Sequence, residues 1–199
     1  MNRSRLLALL AAVVFTMSGC GTVYIGPDDA DPATGPMRCD QPDDRPSGMQ
    51  VLLAQAVPTA SAVPCLRSDA GDWAVTGFHA ANGRAVVEFS NRFGNDDKAT
   101  VELAAECDVR AAQEISSPFD GTRKYTRPAT RRGRYANETH YVYPGACASL
   151  RFDMAGRGAD LRGAEIAGAL GFLSRDGIDR QIRDASDNNL HLDPVSEES

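Results

Sequence analysis

The sequence predicts an α+β fold, an antiparallel sheet of five or six strands covered by one or two helices, with a β-sandwich as the alternative. Three observations lead there. Short segments alternating between apolar and polar residues recur from residue 73 to residue 154, the period of strands with one buried face. An Asn82-Gly83 step separates two of them as a tight hairpin turn would. Helix-period patterns fall at the two ends of that stretch.

Residues 1–19 read as a leader. Arg3 and Arg5 precede an apolar run from Leu6 to Met17, which stops at Ser18-Gly19-Cys20. That run is too short to cross a bilayer as a helix and has the length of a secretory core segment. Small side chains before a cysteine form a lipobox, although Met17 stands where leucine is commonest. Cys20 is then the lipidation site, its thiol taking a diacylglyceryl group, and acyl chains such as palmitate hold the chain to the cell membrane on its extracytoplasmic face. An ordinary secretory signal with an incidental Cys20 is the alternative.

Residues 20–46 read as a flexible acidic tether. Five prolines and six aspartates lie between 21 and 48, leaving little apolar surface to offset the entropy of ordering. A coil of that length reaches ~30 Å. The single globular domain is then expected over 47–186, followed by a disordered acidic tail over 187–199.

Within the domain, residues 49–56 form a short helix with Ser47 as N-cap and Pro58 as its stop. Val57 to Cys65, with prolines at 58 and 64, should lie extended on the surface. Trp73–Ala80 and Arg84–Ser90 make the hairpin, with Trp73 as a core anchor. After a polar loop at 91–98, Thr100 to Cys107 alternates as a half-buried strand. Residues 109–134 are hard to read, with a short strand at 124–126. His140–Tyr143 and Ala148–Met154 form two further strands broken at Pro144-Gly145. Residues 161–173 fit either a helix or a strand plus turn, and 175–185 a helix burying Ile178 and Ile182.

Beyond Cys20, Cys39, Cys65, Cys107 and Cys147 form an even set, expected to make two disulfides on the oxidising side of a membrane. Three connectivities are open. Cys39 with Cys65 and Cys107 with Cys147 is favoured, because both pairs close local loops; each would contribute roughly 3.5 to 4 kcal/mol by chain entropy. No closely spaced cysteine pair suggests zinc, and neither a metal nor a cofactor is expected.

The chemistry-bearing residues are sparse. His79, His140 and His191 are the three histidines, none at ligand spacing from another. No G-x-S-x-G, S-x-x-K or H-E-x-x-H motif occurs, and no catalytic residue is assigned. The net charge of −6, which becomes −8 once Arg3 and Arg5 leave with the leader, argues against nucleic acid as a partner. Against this acidic background, Arg123, Lys124, Arg127, Arg131, Arg132 and Arg134 interleave with Tyr125 and Tyr135. Guanidinium groups fork onto phosphates and carboxylates, which makes the segment a candidate contact for an envelope protein or an anionic envelope polymer. The alternative is a solvated run neutralised by the chain's own tether or tail.

The block from Val57 to Cys65, with Gly71-Asp72-Trp73, Asn82-Gly83-Arg84, Cys107-Asp108 and Pro144-Gly145-Ala146-Cys147, resembles a group of predicted lipoproteins of high-GC Gram-positive bacteria. The resemblance covers about residues 39–183, with Ala146 where a second glycine is expected. It implies export and the disulfides, and transfers no activity or catalytic residue. Two function classes therefore stand: a membrane-tethered, non-enzymatic interaction domain of the cell envelope, and an envelope hydrolase using carboxylates or a histidine. A closed concave pocket where His140 or two carboxylates converge would favour the second. A shallow basic surface would favour the first.

Overall fold

The computed structural model describes residues 37–40, 45–67, 72–92, 97–131 and 133–194. The leader, Cys20 and most of the expected tether lie outside them, as do Arg132 and residues 195–199. Strands β2 (Trp73–Ala81), β3 (Arg84–Asn91), β4 (Lys98–Ala104), β5 (Gln113–Ile115), β6 (Arg123–Arg131), β7 (Arg134–Tyr143) and β8 (Ala146–Ala155) form one antiparallel sheet in the order β2-β3-β4-β8-β7-β6-β5. A two-stranded ribbon pairs β1 (Ala62–Leu66) with β9 (Leu170–Ser174). This ribbon and the helices α1 (Gly48–Ala56), α2 (Ala159–Ala169) and α3 (Arg175–Ala185) cover one side of the large sheet. The fold is α+β.

Local chemistry explains the elements. Ser47 Oγ accepts from Gln50 N while Gln50 Oε1 accepts from Ser47 N, a capping box that starts α1. Its apolar side buries Met49, Leu53 and Ala56. Ser174 caps α3 in the same way, accepting from Gly177 N, and Ile178 anchors that helix. The β7–β8 hairpin turns on Pro144-Gly145, with Gly145 at φ +76° against Thr59; a Cβ there would lie 1.7 Å from the Thr59 carbonyl oxygen. On the inner face of the sheet, Val87, Phe89, Val101, Leu103, Leu150 and Phe152 are buried in one core with the helices.

Both favoured disulfides are present, Cys39–Cys65 with Cα atoms 5.0 Å apart and Cys107–Cys147 with Cα atoms 5.7 Å apart. The hairpin over 73–91, the strand after it and the helix at 175–185 stand where the sequence puts them. Trp73 is a core residue.

Other expectations change. The sheet has seven strands and not five or six, because the cation-rich 109–134 region supplies β5 and all of β6. The segment from Val57 to Cys65 lies deeper than expected, with Val57, Ala60 and residues 63–65 buried and Thr59 and Ser61 exposed, and it ends inside β1. Pro64 is tolerated there because a two-stranded ribbon leaves edge positions that need no donor. The 161–173 ambiguity resolves as helix followed by strand. The strand starting near Thr100 ends at Ala104, so Ala105 is exposed and Cys107 lies in the following loop.

At the domain edges, the expected tether is already docked at Met37, whose carbonyl accepts from Leu66 N and whose side chain is buried. The tail expected to be disordered is anchored at residues 192 and 193, while its other described residues are exposed. Leu192 is buried, its N–H donates to Asp179 Oδ1 at 2.7 Å, and Arg175 Nη2 donates to the Asp193 carbonyl at 2.7 Å. One buried leucine and three hydrogen bonds to backbone atoms of residues 192 and 193, the third from Asp193 N–H to Gln55 Oε1 at 3.3 Å, hold an acidic segment without a pattern of its own.

Candidate functional site

The outer face of the large sheet carries a charged cleft of about 260 Å³. It forms by register. The two-residue turn at Pro144-Gly145 pairs His140 with Ser149 and Glu138 with Arg151, and the β4–β8 pairing sets Glu102 against Ser149. Arg127 on β6 stands opposite Glu138. The loop after β4 closes over this row because the Cys107–Cys147 disulfide ties it to β8 and Arg127 Nη2 donates to the Asp108 carbonyl at 3.0 Å. Glu106 and Ala104 complete the lining.

Inside the cleft, His140 is 2% exposed. Its Nδ1 lies 2.8 Å from Ser149 Oγ, and its Nε2 lies 3.7 Å from Glu138 Oε1 without a hydrogen-bond partner among the described residues. Arg151 joins the two carboxylates: its Nε donates to Glu138 at 2.6 Å and its Nη1 to Glu102 at 2.5 Å. Arg84 adds a second bond to Glu102 at 2.7 Å. The Arg127 Nε–H is buried and has no partner among the described residues.

Burial pushes the His140 imidazole below its ordinary value of 6.5; Glu138 pulls the other way, and Arg127 and Arg151 reinforce the fall. The ring is neutral at pH 7. Placing its proton on Nε2 aims the N–H at Glu138 and leaves Nδ1 to accept from the Ser149 hydroxyl. Burial raises the Glu102 carboxyl, but the hydrogen bonds from Arg84 and Arg151 outweigh it and hold the group ionised below its ordinary value. The bond from the Arg110 side chain holds Asp108 far down as well.

The described residues gather one metal-ligand set, Cys107, His140 and Cys147, with ligand atoms within 4.8 Å of one another. Both sulfurs are already joined to each other, so the set offers no thiolate.

The basic segment is a β-hairpin. Arg123 pairs with Glu114 at 2.7 Å, Arg127 with Glu138 at 3.7 Å, and Arg134 with Asp153 at 2.5 Å. Lys124 lies over the Tyr141 ring at 5.5 Å. Acids of neighbouring strands pair with Arg123, Arg127 and Arg134. Arg131 ends β6 at the hairpin tip beside Arg132, which lies outside the described residues. His79 and His191 are exposed and stand apart from the cleft.

Sequence reading singled out His140 but missed Glu102, Glu138, Ser149 and Arg151 as its company. The signal was present: a tight turn at 144–145 fixes which residues of β7 and β8 face each other.

No model of a known protein family matches the sequence, and no curated protein matches it. Among solved structures, the chain is similar to the solution structure of a cyanobacterial PsbP (CyanoP) from Synechocystis, with 12% identity and a TM-score of 0.33 over 57% of this chain and 94% of that one. At that level the likeness carries no functional argument, and the α+β assignment rests on the strands and helices described above.

Proposed function

We propose that this chain is a lipid-anchored domain on the extracytoplasmic face of the cell membrane that binds a partner at the cell envelope without transforming it. The single observation that carries the non-enzymatic part is Arg151. It stands between Glu138 and Glu102 at hydrogen-bond distance from both, so these two of the cleft's four carboxylates are engaged in ion pairs. The lipobox at Ser18-Gly19-Cys20 and the two disulfides support an address outside the cytoplasm. The macromolecular contact we assign to the β6–β7 hairpin, whose Arg123, Lys124, Arg127, Arg131, Arg132 and Arg134 would meet an acidic envelope protein or polymer.

The hydrolase reading has two observations in its favour: the cleft gathers His140 with several carboxylates, and Ser149, His140 and Glu138 neighbour one another as the members of a serine–histidine–acid relay do. Against it, Ser149 is buried in mid-strand, with its Oγ 3.2 Å from Cys107 Sγ beneath the loop. A fluorophosphonate probe should leave Ser149 unlabelled. Labelling there would favour catalysis.

Radiolabelled palmitate should enter the wild-type protein and not Cys20→Ala, which should leave the membrane fraction. Replacing Arg131, Arg132 and Arg134 with Ser should weaken capture of envelope components in a salt-sensitive way. A fully membrane-bound Cys20→Ala protein would end the anchoring proposal, and unchanged capture would end the hairpin contact.

A further inference from the structure

We propose that Cys107, Cys147 and His140 form a redox-gated zinc site: the disulfide closes it, and reduction opens it to one Zn²⁺ held by two thiolates and an imidazole. The inference goes beyond the interaction reading and does not depend on the hairpin contact. Among the described residues these three are the group whose ligand atoms gather closely enough to meet on one ion, all within 4.8 Å of one another. They come from three separate segments, the loop after β4, the strand β7 and the strand β8. Two thiolates and an imidazole are a donor set that zinc takes at about 2.3 Å from sulfur and about 2.0 Å from nitrogen. Magnesium and calcium take oxygen ligands and have no hold on it.

The surroundings suit that ion. Ser149 Oγ lies 3.2 Å from Cys107 Sγ and 2.8 Å from His140 Nδ1, so a small hydroxyl, not a bulky side chain, stands between sulfur and imidazole. Beyond the other ring nitrogen, Glu138 Oε1 is 3.7 Å from His140 Nε2. A histidine that binds a metal through one nitrogen commonly turns its other N–H toward a carboxylate, and Glu138, held by Arg151 at 2.6 Å, is placed for that role.

The bridge controls access. Cys147 is buried on β8, whereas Cys107 is partly exposed in the loop after β4 and lines the cleft. With the bond intact neither sulfur is a thiolate and the imidazole is shut in, so the oxidised protein has no site. Two sulfurs on one tetrahedral zinc stand ~3.8 Å apart, a gap that a freed loop residue can open. The opening is a thiol–disulfide exchange with a dithiol protein as the two-electron donor. Its thiolate attacks Cys107 Sγ, the accessible sulfur; the S–S bond breaks, and Cys147 leaves as a thiolate. The donor's second thiolate then attacks the mixed disulfide, which releases the Cys107 thiolate and leaves the donor as a disulfide. Zn²⁺ keeps both sulfurs deprotonated, so the donor's two thiol protons pass to solvent.

The test is a titration of the full-length protein in dodecylphosphocholine micelles with Co²⁺, whose thiolate charge-transfer and d–d absorption bands report coordination, followed by displacement with Zn²⁺. The oxidised protein should give no bands. After anaerobic reduction with a phosphine and removal of the reductant, one Co²⁺ per chain should bind with both sets of bands, and one Zn²⁺ should displace it. Zn²⁺ should also raise the unfolding temperature of the reduced protein, which ties the metal to the folded state. The double variant Cys107→Ser with Cys147→Ser, treated alike, should lose the bands, which excludes Cys20, Cys39 and Cys65 as the ligands. His140→Gln keeps every sulfur and should weaken zinc by more than about ten-fold, the scale at which even outer-shell partners act. That variant decides if the double one fails to fold. Bands in the oxidised protein, bands that survive the double substitution, unchanged zinc affinity in His140→Gln, no rise in unfolding temperature, or no saturable cobalt binding after reduction would overturn the site.

Discussion

Leu103 and Glu102 are neighbours on β4, and the pleat sends them into two different environments. Leu103 lies fully inside the core between sheet and helices, among Val101, Leu150 and other aliphatic side chains. Glu102 lies on the outer face, held by Arg84 and Arg151 at the rim of the cleft. The inner face is continuous and apolar, and any residue of similar size and hydrophobicity would maintain it. The outer face is a row of charges whose value depends on specific partners from three other strands. One sheet therefore divides its labour: the apolar core lies on one side, and the proposed recognition on the other.

The largest expected effect breaks the link between the two sides. Replacing Cys107 and Cys147 together with Ser opens a loop of sequence separation 40, which should cost about 4 kcal/mol on the chain-entropy model and release the loop over His140. Chemical denaturation measures the first and hydrogen exchange at residues 105–110 the second. Loss of stability with an unchanged cleft would separate the two roles of that bridge.

The next effect tests the faces directly. Leu103→Ala should cost about 3 kcal/mol, since it empties a fully buried site. Glu102→Gln next to it should cost about 1 kcal/mol or less, since its ion pairs are partly exposed. Midpoint shifts at constant denaturant slope give both values. Equal costs would contradict the division of labour.

The smallest effect is a pH dependence. His140 has a folded value below 6.5, so the unfolded chain takes up its proton first. Its contribution is complete above 6.5 and is lost as pH falls through that value toward the folded one. Unfolding free energies should therefore decline between pH 7.5 and pH 5, before the carboxylates titrate. In His140→Gln the decline over that window should be shallower.

The inner face was legible because alternation is a local signal: Val87 and Phe89, Val101 and Leu103, and Leu150 and Phe152 each declare a buried side within one strand. Ser47 and Asn82-Gly83 declare their cap and turn equally locally. The strand β6 was mostly hidden because Tyr125, its buried residue, sits among cations that read as a solvated loop. Glycines masked α2. Gly163 is required there because a Cβ would come within 2.6 Å of the Tyr135 ring and 2.9 Å of the Phe152 ring, a tertiary demand invisible to helix propensity. The cleft was hidden for a related reason. Its members lie far apart in the chain, from Glu102 to Arg151, and only strand pairing brings them together.

The account turns on the state of His140, the buried ring between Ser149 and Glu138 around which the cleft is built. Imidazole 15N NMR of the full-length protein measures this directly. At pH 7 it should give the neutral tautomer protonated on Nε2, titrating below 6.5. A ring protonated on both nitrogens at pH 7, or a neutral ring carrying its proton on Nδ1, would contradict the account.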